Sequence, residues 1–269
     1  MHNQLIGILA ILLYLSASFL LAFRLMRPER SGTAMRTGGL VLGFAAVCLH
    51  GAALYPALVT AHGLNLGFFN AASLVGCLTA LLLLASSLRQ PLENLGIALL
   101  PMAALTIALM FAYPSQHLLD EIGHWQLDLH ILLSILAYSL LVIAALQAVL
   151  LAVQDHQLRN RHPGGLIRAL PPLQTMESLL FQLIATGFIL LSLALLTGLF
   201  FLEDIFAQHL VHKTVLSLIA WAVFAILLWG HWRFGWRGRT AIRWTLGGFL
   251  FLMLAYFGSK LVLELLLGA

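Results

Sequence analysis

Two histidines and a lysine stand at the edge of a long apolar run in AQHLVHKTVLSLIAW, Ala207 to Trp221. A third histidine, His130, opens a second apolar run in DLHILLSILAY. Neutral imidazole is a metal ligand over much of the physiological pH range. If these runs are neighbouring helices, His130 and His212 can lie at a similar depth and meet on one iron, as axial ligands do in haem proteins. The macrocycle of haem is apolar and its propionates need a cation at the water edge, which Lys213 can supply. His209 lies three residues before His212 and shares its face if the helix begins early. The same residues also read as amphipathic side chains resting at a polar–apolar boundary.

The elements that must position these groups follow from composition. The chain has 269 residues, of which 61% are hydrophobic and 9% charged, against roughly 25% charged in soluble domains. A soluble core of this size cannot hide so much apolar surface, so the solvent for most of the chain is lipid. A bilayer-spanning helix needs roughly 20 apolar residues. Eight segments qualify, approximately 5–23, 40–61, 68–88, 95–113, 129–153, 179–202, 211–232 and 244–267. The expected fold is therefore an all-α integral membrane protein, a single polytopic domain of about eight transmembrane helices. The first span is read as retained, because its arginines follow rather than precede it.

Lysine and arginine set the expected orientation. Arg24, Arg27, Arg30, Arg36, Arg89, Arg159, Arg161, Arg168, Arg233, Arg237, Arg239 and Arg243 all fall in alternate loops. Only Lys213 and Lys260 of the 14 basic residues remain for the other side. The positive-inside rule puts the arginine loops in the cytoplasm and both termini on the outer, periplasmic face. A net charge of +4 distributed in this way is a topology signal, so no nucleic-acid partner is expected. The histidines divide differently. His62, His117, His124, His130, His209 and His212 fall at outer ends, with His2 at the outer terminus, and His156, His162 and His231 at inner ends. The outer face is thus poor in permanent cations and rich in imidazole.

His50 lies within the second span, where a polar side chain faces the bundle or a cavity and marks either function or an interhelical hydrogen bond. Asn70, near the start of the third span, has the same two readings. Pro101 should bend the fourth span, Pro171-Pro172 can start the sixth, and the Gly39–Gly43 spacing allows close helix contact. Glu264 is spaced to pair with Lys260. Trp229, Trp232, Trp236 and Trp244 read as an interfacial belt, with stacking on a planar ligand as the alternative. Leu118, Leu119, Ile122 and Trp125 are spaced for a short helix on the membrane surface, either a lid or a plain connector. Cys48 and Cys77 form no CxxC, and no CxxCH, GxSxG, HExxH or phosphate-cradling glycine loop is present. A thiol relay, a c-type cytochrome and a hydrolase are therefore not expected.

The stretch from Lys213 to Val262, with its internal Trp, its GWRG and its YFG, resembles the cytochrome c assembly family of membrane haem handlers. DLHILLSILAYSLL, Asp128 to Leu141, resembles that family's span with an outer histidine and a tyrosine eight residues on. LNLGFFNAASL, Leu64 to Leu74, resembles its loop ending in an asparagine at a span start. The resemblance implies haem carried by histidines, with His130 matching the outer histidine, His50 and His231 matching those within or near the membrane, and Lys213 ending the segment that presents haem. FLEDIFAQHLVH replaces the family's tryptophan-rich signature, and the chain stops at LELLLGA without the second outer histidine. It thus looks most like the shorter, eight-span branch (HemX-like or YpjD-like), with His212 standing by position for the missing ligand.

The expected function is that of a haem-binding or haem-handling accessory protein of cytochrome c assembly in the bacterial inner membrane. It would have no covalent chemistry of its own, and its partners would be haem, other maturation proteins and the bilayer. The alternatives are a permease subunit for another small molecule, governed by His50, Asn70 and the Pro101 region, and a scaffold whose polar residues only pack helices.

Overall fold

The computed structural model describes residues 2–26, 33–60, 63–114, 118–119, 125–160, 170–201 and 211–258. Among the described residues, eight helices are long and apolar enough to cross a membrane. They are α1 (His2–Met26), α2 (Thr33–Leu58), α3 (Phe68–Ser87), α4 (Gly96–Ala112), α5 (Trp125–Arg159), α6 (Leu173–Phe201), α7 (Val211–Phe234) and α8 (Arg239–Met253), the last continued by a π-helical turn over Leu254–Gly258. Each overlaps an expected span, although α2 stops at Leu58, short of the expected 61, and residues 259–267 of the last expected span lie outside the described residues. At 35 residues α5 is ~50 Å long and must overshoot a hydrocarbon layer of about 30 Å. Large apolar side chains such as Phe19 and Leu199 are 67% and 60% exposed, an arrangement suited to lipid rather than water.

The chain divides into two compact units, one built on residues 1–122 with 163–171, the other on 123–162 with 172–269. In the first, α1 packs on α2 and α4, and α3 packs on α4 and α2. A core of Tyr14, Ala17, Leu84, Leu100 and Ile107 fills the centre. Gly39 and Gly43 serve close approach, as their spacing predicts. A Cβ on Gly39 would lie 3.0 Å from Leu21 of α1, and one on Gly43 would lie 2.9 Å from Leu84 of α3.

Pro101 sits inside α4 and has no N–H to give the carbonyl of Ile97 four residues earlier. Ser18 of α1 supplies the missing donor, its hydroxyl lying 2.9 Å from that oxygen. At the basic end of this unit Glu93, only 6% exposed, joins three elements. It lies in a single 3-10 turn, Glu93–Leu95, ahead of α4. Its Oε1 accepts from Arg24 of α1 at 2.9 Å and from Arg36 of α2 at 3.2 Å. Arg36 also donates to the carbonyl of Ser87 at the end of α3. Oε2 has no partner among the described residues.

The opposite end of this unit carries a three-stranded antiparallel sheet, β1 (Val59–Thr60), β2 (Gly63–Asn65) and β3 (Leu118–Leu119), in the order β1-β2-β3. Leu118 and Leu119 therefore do not open the expected surface helix. They pair with Asn65 and Leu64, because the backbone edge of β2 offers hydrogen bonds that a two-leucine helix start cannot match. Trp125 begins α5 itself. Ile122, between them, lies outside the described residues, as do His62, His117, His124, His162, His209, Lys260 and Glu264.

In the second unit α5 packs on α6 and α8, and α7 packs on α6 and α8. Its register is set by polar pairs. Gln147 donates to the carbonyl of Met176 at 3.0 Å, and Trp221 Nε1 donates to Ser192 at 2.9 Å. Asp155 of α5 accepts from Arg159 and from Arg239 at the start of α8. The tryptophans split between two jobs. Trp229 and Trp232 are exposed, as a belt requires, whereas Trp236 lies over Gly230, where a Cβ would collide with its ring. Trp244 packs beside Trp236 at 5.5 Å.

Candidate functional site

His130 lies on the second turn of α5, half-buried against α6. Its Nδ1 is 2.8 Å from the carbonyl oxygen of Ala194 and 3.3 Å from Thr197 Oγ1. A carbonyl only accepts, so Nδ1 carries the proton and donates it. The second ring nitrogen, Nε2, then holds the lone pair. A ring that donates one N–H to a carbonyl and keeps the other nitrogen bare is the usual state of a metal-ligating histidine. His130 Nε2 would therefore suit the iron of a haem as one ligand.

His212 and Lys213 occupy the first turn of α7, at the same end of this unit as His130. His212 is exposed, and Lys213 is intermediate in burial. The pairs His130–Thr197 and Ser192–Trp221 link α5, α6 and α7 in antiparallel register. Counting along that register places His212 roughly 6–10 Å beyond the level of His130 at 1.5 Å per residue. The two histidines share an end but not a depth, and their helices meet chiefly through α6 and α8. Beneath His130 on α5, the ring of Tyr138 is ringed by Phe249, Tyr256 and Phe257, with centroids 5.8, 6.1 and 5.5 Å away. The π turn brings Tyr256 and Phe257 to that wall.

His231 belongs to the other end of α7, 19 residues from His212 and hence ~28 Å along the axis. Its ring stacks on Phe181 of α6 with centroids 3.5 Å apart. Its Nδ1 donates to the carbonyl of Trp236 at 2.8 Å. That bond holds the GWRG turn, in which Gly235 and Gly238 take φ +67 and +55, values that favour glycine. The backbone N–H of Gly238 then donates to Glu177.

His50 lies in the first unit, with none of its surface exposed. Nδ1 is 3.2 Å from the hydroxyl of Tyr14 on α1, and Nε2 is 2.9 Å from that of Ser73 on α3. Both nitrogens are thus engaged by protein. Asn70 is also engaged, donating to the carbonyls of Ala57 and Asn65 at 3.3 and 3.4 Å, which fastens the end of α2 to the turn after β2. Among the described residues, no group of three or more His, Cys, Asp and Glu side chains gathers as a metal site. Sequence reasoning did not single out Tyr14, Ser73, Glu93 or Thr197. The one available signal was a polar side chain inside or at the edge of an apolar run, which many harmless residues share.

Comparison with known proteins places this chain in a family. The model of the Cytochrome C assembly protein family matches residues 5–267. The chain is 37% identical over 210 residues to "Inner membrane protein YpjD" of Escherichia coli strain K12, a match covering 76% of this chain and 77% of the relative. It is also 37% identical over 148 residues to an "Uncharacterized 28.8 kDa protein in nifR3-like 5'region" of Azospirillum brasilense, covering 54% of each chain. No solved structure matches. Its eight apolar helices and these relatives make it a multi-pass protein of the bacterial inner membrane. On the match across nearly its whole length, the chain belongs to the cytochrome c assembly protein family.

Proposed function

We propose that this protein is a haem-handling accessory factor of cytochrome c assembly, holding haem at the His130 end of its second unit. The observation that carries this reading is the His130 ring itself, with Nδ1–H spent on Ala194 and Nε2 without a partner among the described residues. Haem would supply an iron centre and two propionates. The chain's own residues do the rest. α6 orients the imidazole, and α8 with its π turn lays an aromatic wall below it. Lys213, next to His212, provides positive charge at the same end for propionates. His212, roughly 6–10 Å farther out, would complete the ligand set on a side chain free to reach inward from an exposed turn. The positive-inside rule puts this end on the periplasmic face, where cytochrome c apoproteins await haem. No nucleophile is needed, because holding and presenting haem makes and breaks no covalent bond.

The permease reading rests on His50, Asn70 and Pro101. Each has a protein partner that accounts for it, respectively Tyr14 with Ser73, the Ala57 and Asn65 carbonyls, and Ser18 through Ile97. Detergent-purified protein, titrated with haem, is expected to give a Soret band. His130→Ala should weaken binding at least 10-fold, and His212→Ala less. Wild-type protein that stays colourless with added haem would refute the proposal.

A further inference from the structure

We infer that Thr197 is a positioning residue for His130: with the Ala194 carbonyl it sets the ring as the Nδ1–H tautomer and makes Nε2 the one ligating atom. The inference rests on the haem reading for its purpose, but not for its test. The geometry is a closed triangle at the end of α6. Thr197 Oγ1 donates to the Ala194 carbonyl at 2.9 Å. The same carbonyl accepts from His130 Nδ1 at 2.8 Å. Thr197 Oγ1 is itself 3.3 Å from Nδ1.

The proton count in that triangle has one consistent solution. A hydroxyl has one proton and two lone pairs. Thr197 gives its proton to the Ala194 oxygen, so it faces Nδ1 as an acceptor. Nδ1 therefore meets two acceptors and no donor. If Nδ1 were bare, its lone pair would point at a carbonyl oxygen 2.8 Å away, which is repulsive. The proton belongs on Nδ1. Two acceptors rather than one also fix the angle of the ring about its Cβ–Cγ bond, because turning it away from Ala194 turns it from Thr197 as well. A valine at 197 would leave the carbonyl in place and remove the second acceptor, so the ring gains freedom to turn and to populate Nε2–H.

Such a contact also tunes an iron bound at Nε2. Donation from Nδ1–H to an acceptor makes the imidazole a stronger electron donor, which favours the ferric over the ferrous state. Losing one acceptor should therefore raise the midpoint potential and weaken haem binding by about 10-fold, the low end for a lost outer partner of a metal ligand.

The test has a haem-free arm and a loaded arm. Histidine-specific ¹⁵N labelling of the haem-free full-length protein, with His130 assigned by its loss in His130→Ala, reads the tautomer directly. Wild type and Thr197→Ser should show Nδ1–H alone, and Thr197→Val should show both tautomers, with helix content unchanged in all three. With added haem, Thr197→Val should bind about 10-fold more weakly, at a higher midpoint potential, and Thr197→Ser should restore both. A wild-type His130 protonated on Nε2, or identical His130 signals in wild type and Thr197→Val, overturns the inference. Wild-type protein that shows the Nδ1–H tautomer and its loss of purity in Thr197→Val, yet binds no haem, supports the positioning role and refutes only the haem reading.

Discussion

His130 and His50 show how one side-chain type takes two jobs according to what surrounds its nitrogens. Nδ1 of His130 faces a carbonyl and a hydroxyl, and its Nε2 has no hydrogen-bond partner among the described residues. Both nitrogens of His50 close a buried chain from Tyr14 to Ser73 across three helices. The expected consequence is a clean separation. His50→Ala should lower the stability of the purified protein by about 2–4 kcal/mol, since it leaves two buried hydroxyls without partners and a cavity behind. Its haem titration should match that of wild type. Loss of haem binding in a His50→Ala protein with unchanged melting would assign His50 to the ligand site instead. His130 was legible as a candidate because it opens an apolar run. The roles of His50 were not, since its partners lie 36 and 23 residues away in the chain and no local pattern encodes such pairs.

At the scale of elements, the polar groups of the first unit work as fasteners between helices. The bond from Ser18 to Ile97 repairs a carbonyl that Pro101 leaves without a donor. In lipid, no water can take that place. Ser18→Ala should therefore destabilise by about 1 kcal/mol, within the range of interhelical bonds in membranes, and Ser18→Thr, which keeps the hydroxyl, should avoid most of that loss. Restoring the α4 donor with Pro101→Ala in the Ser18→Ala background should recover stability, as read by thermal melting in detergent. Glu93 fastens α1 and α2 to the start of α4 through Arg24 and Arg36. A fully buried pair that loses one partner costs roughly 3–5 kcal/mol. Both arginine side chains here are 32% exposed, so Glu93→Gln is expected to cost about 1–2 kcal/mol. A melting temperature unchanged by Glu93→Gln would show that the pairs are solvated and contribute little. Helix positions were legible from apolar length alone. The strand at Leu118–Leu119 was not, because its pairing depends on the edge of β2, more than fifty residues earlier in the chain.

For the whole molecule, eight apolar helices with arginines in alternate loops predict one arrangement across the membrane. In a background with Cys48 and Cys77 replaced by alanine, a cysteine at Arg237 should react with a membrane-impermeant thiol reagent only after the membrane is opened. A cysteine at His62 should react in intact spheroplasts. The reverse pattern would move the His130 end to the cytoplasm and with it the proposed place of haem delivery. The two four-helix units differ in what they offer at these positions. The buried polar chain of the first is closed on itself, and the half-buried histidine of the second has one ring nitrogen without a partner among the described residues.

The apolar runs along the chain already carry the place and apolar character of the spans, and the arginines carry their expected direction. These are properties of single segments meeting lipid, and a bilayer reads each segment independently of the others. The packing of the helices settles which nitrogen of a histidine is hydrogen-bonded and to what. That depends on the carbonyl or hydroxyl that a different helix brings to within about 3 Å, the range of a hydrogen bond. A choice made at that distance is a property of packing, and no spacing along one helix contains it.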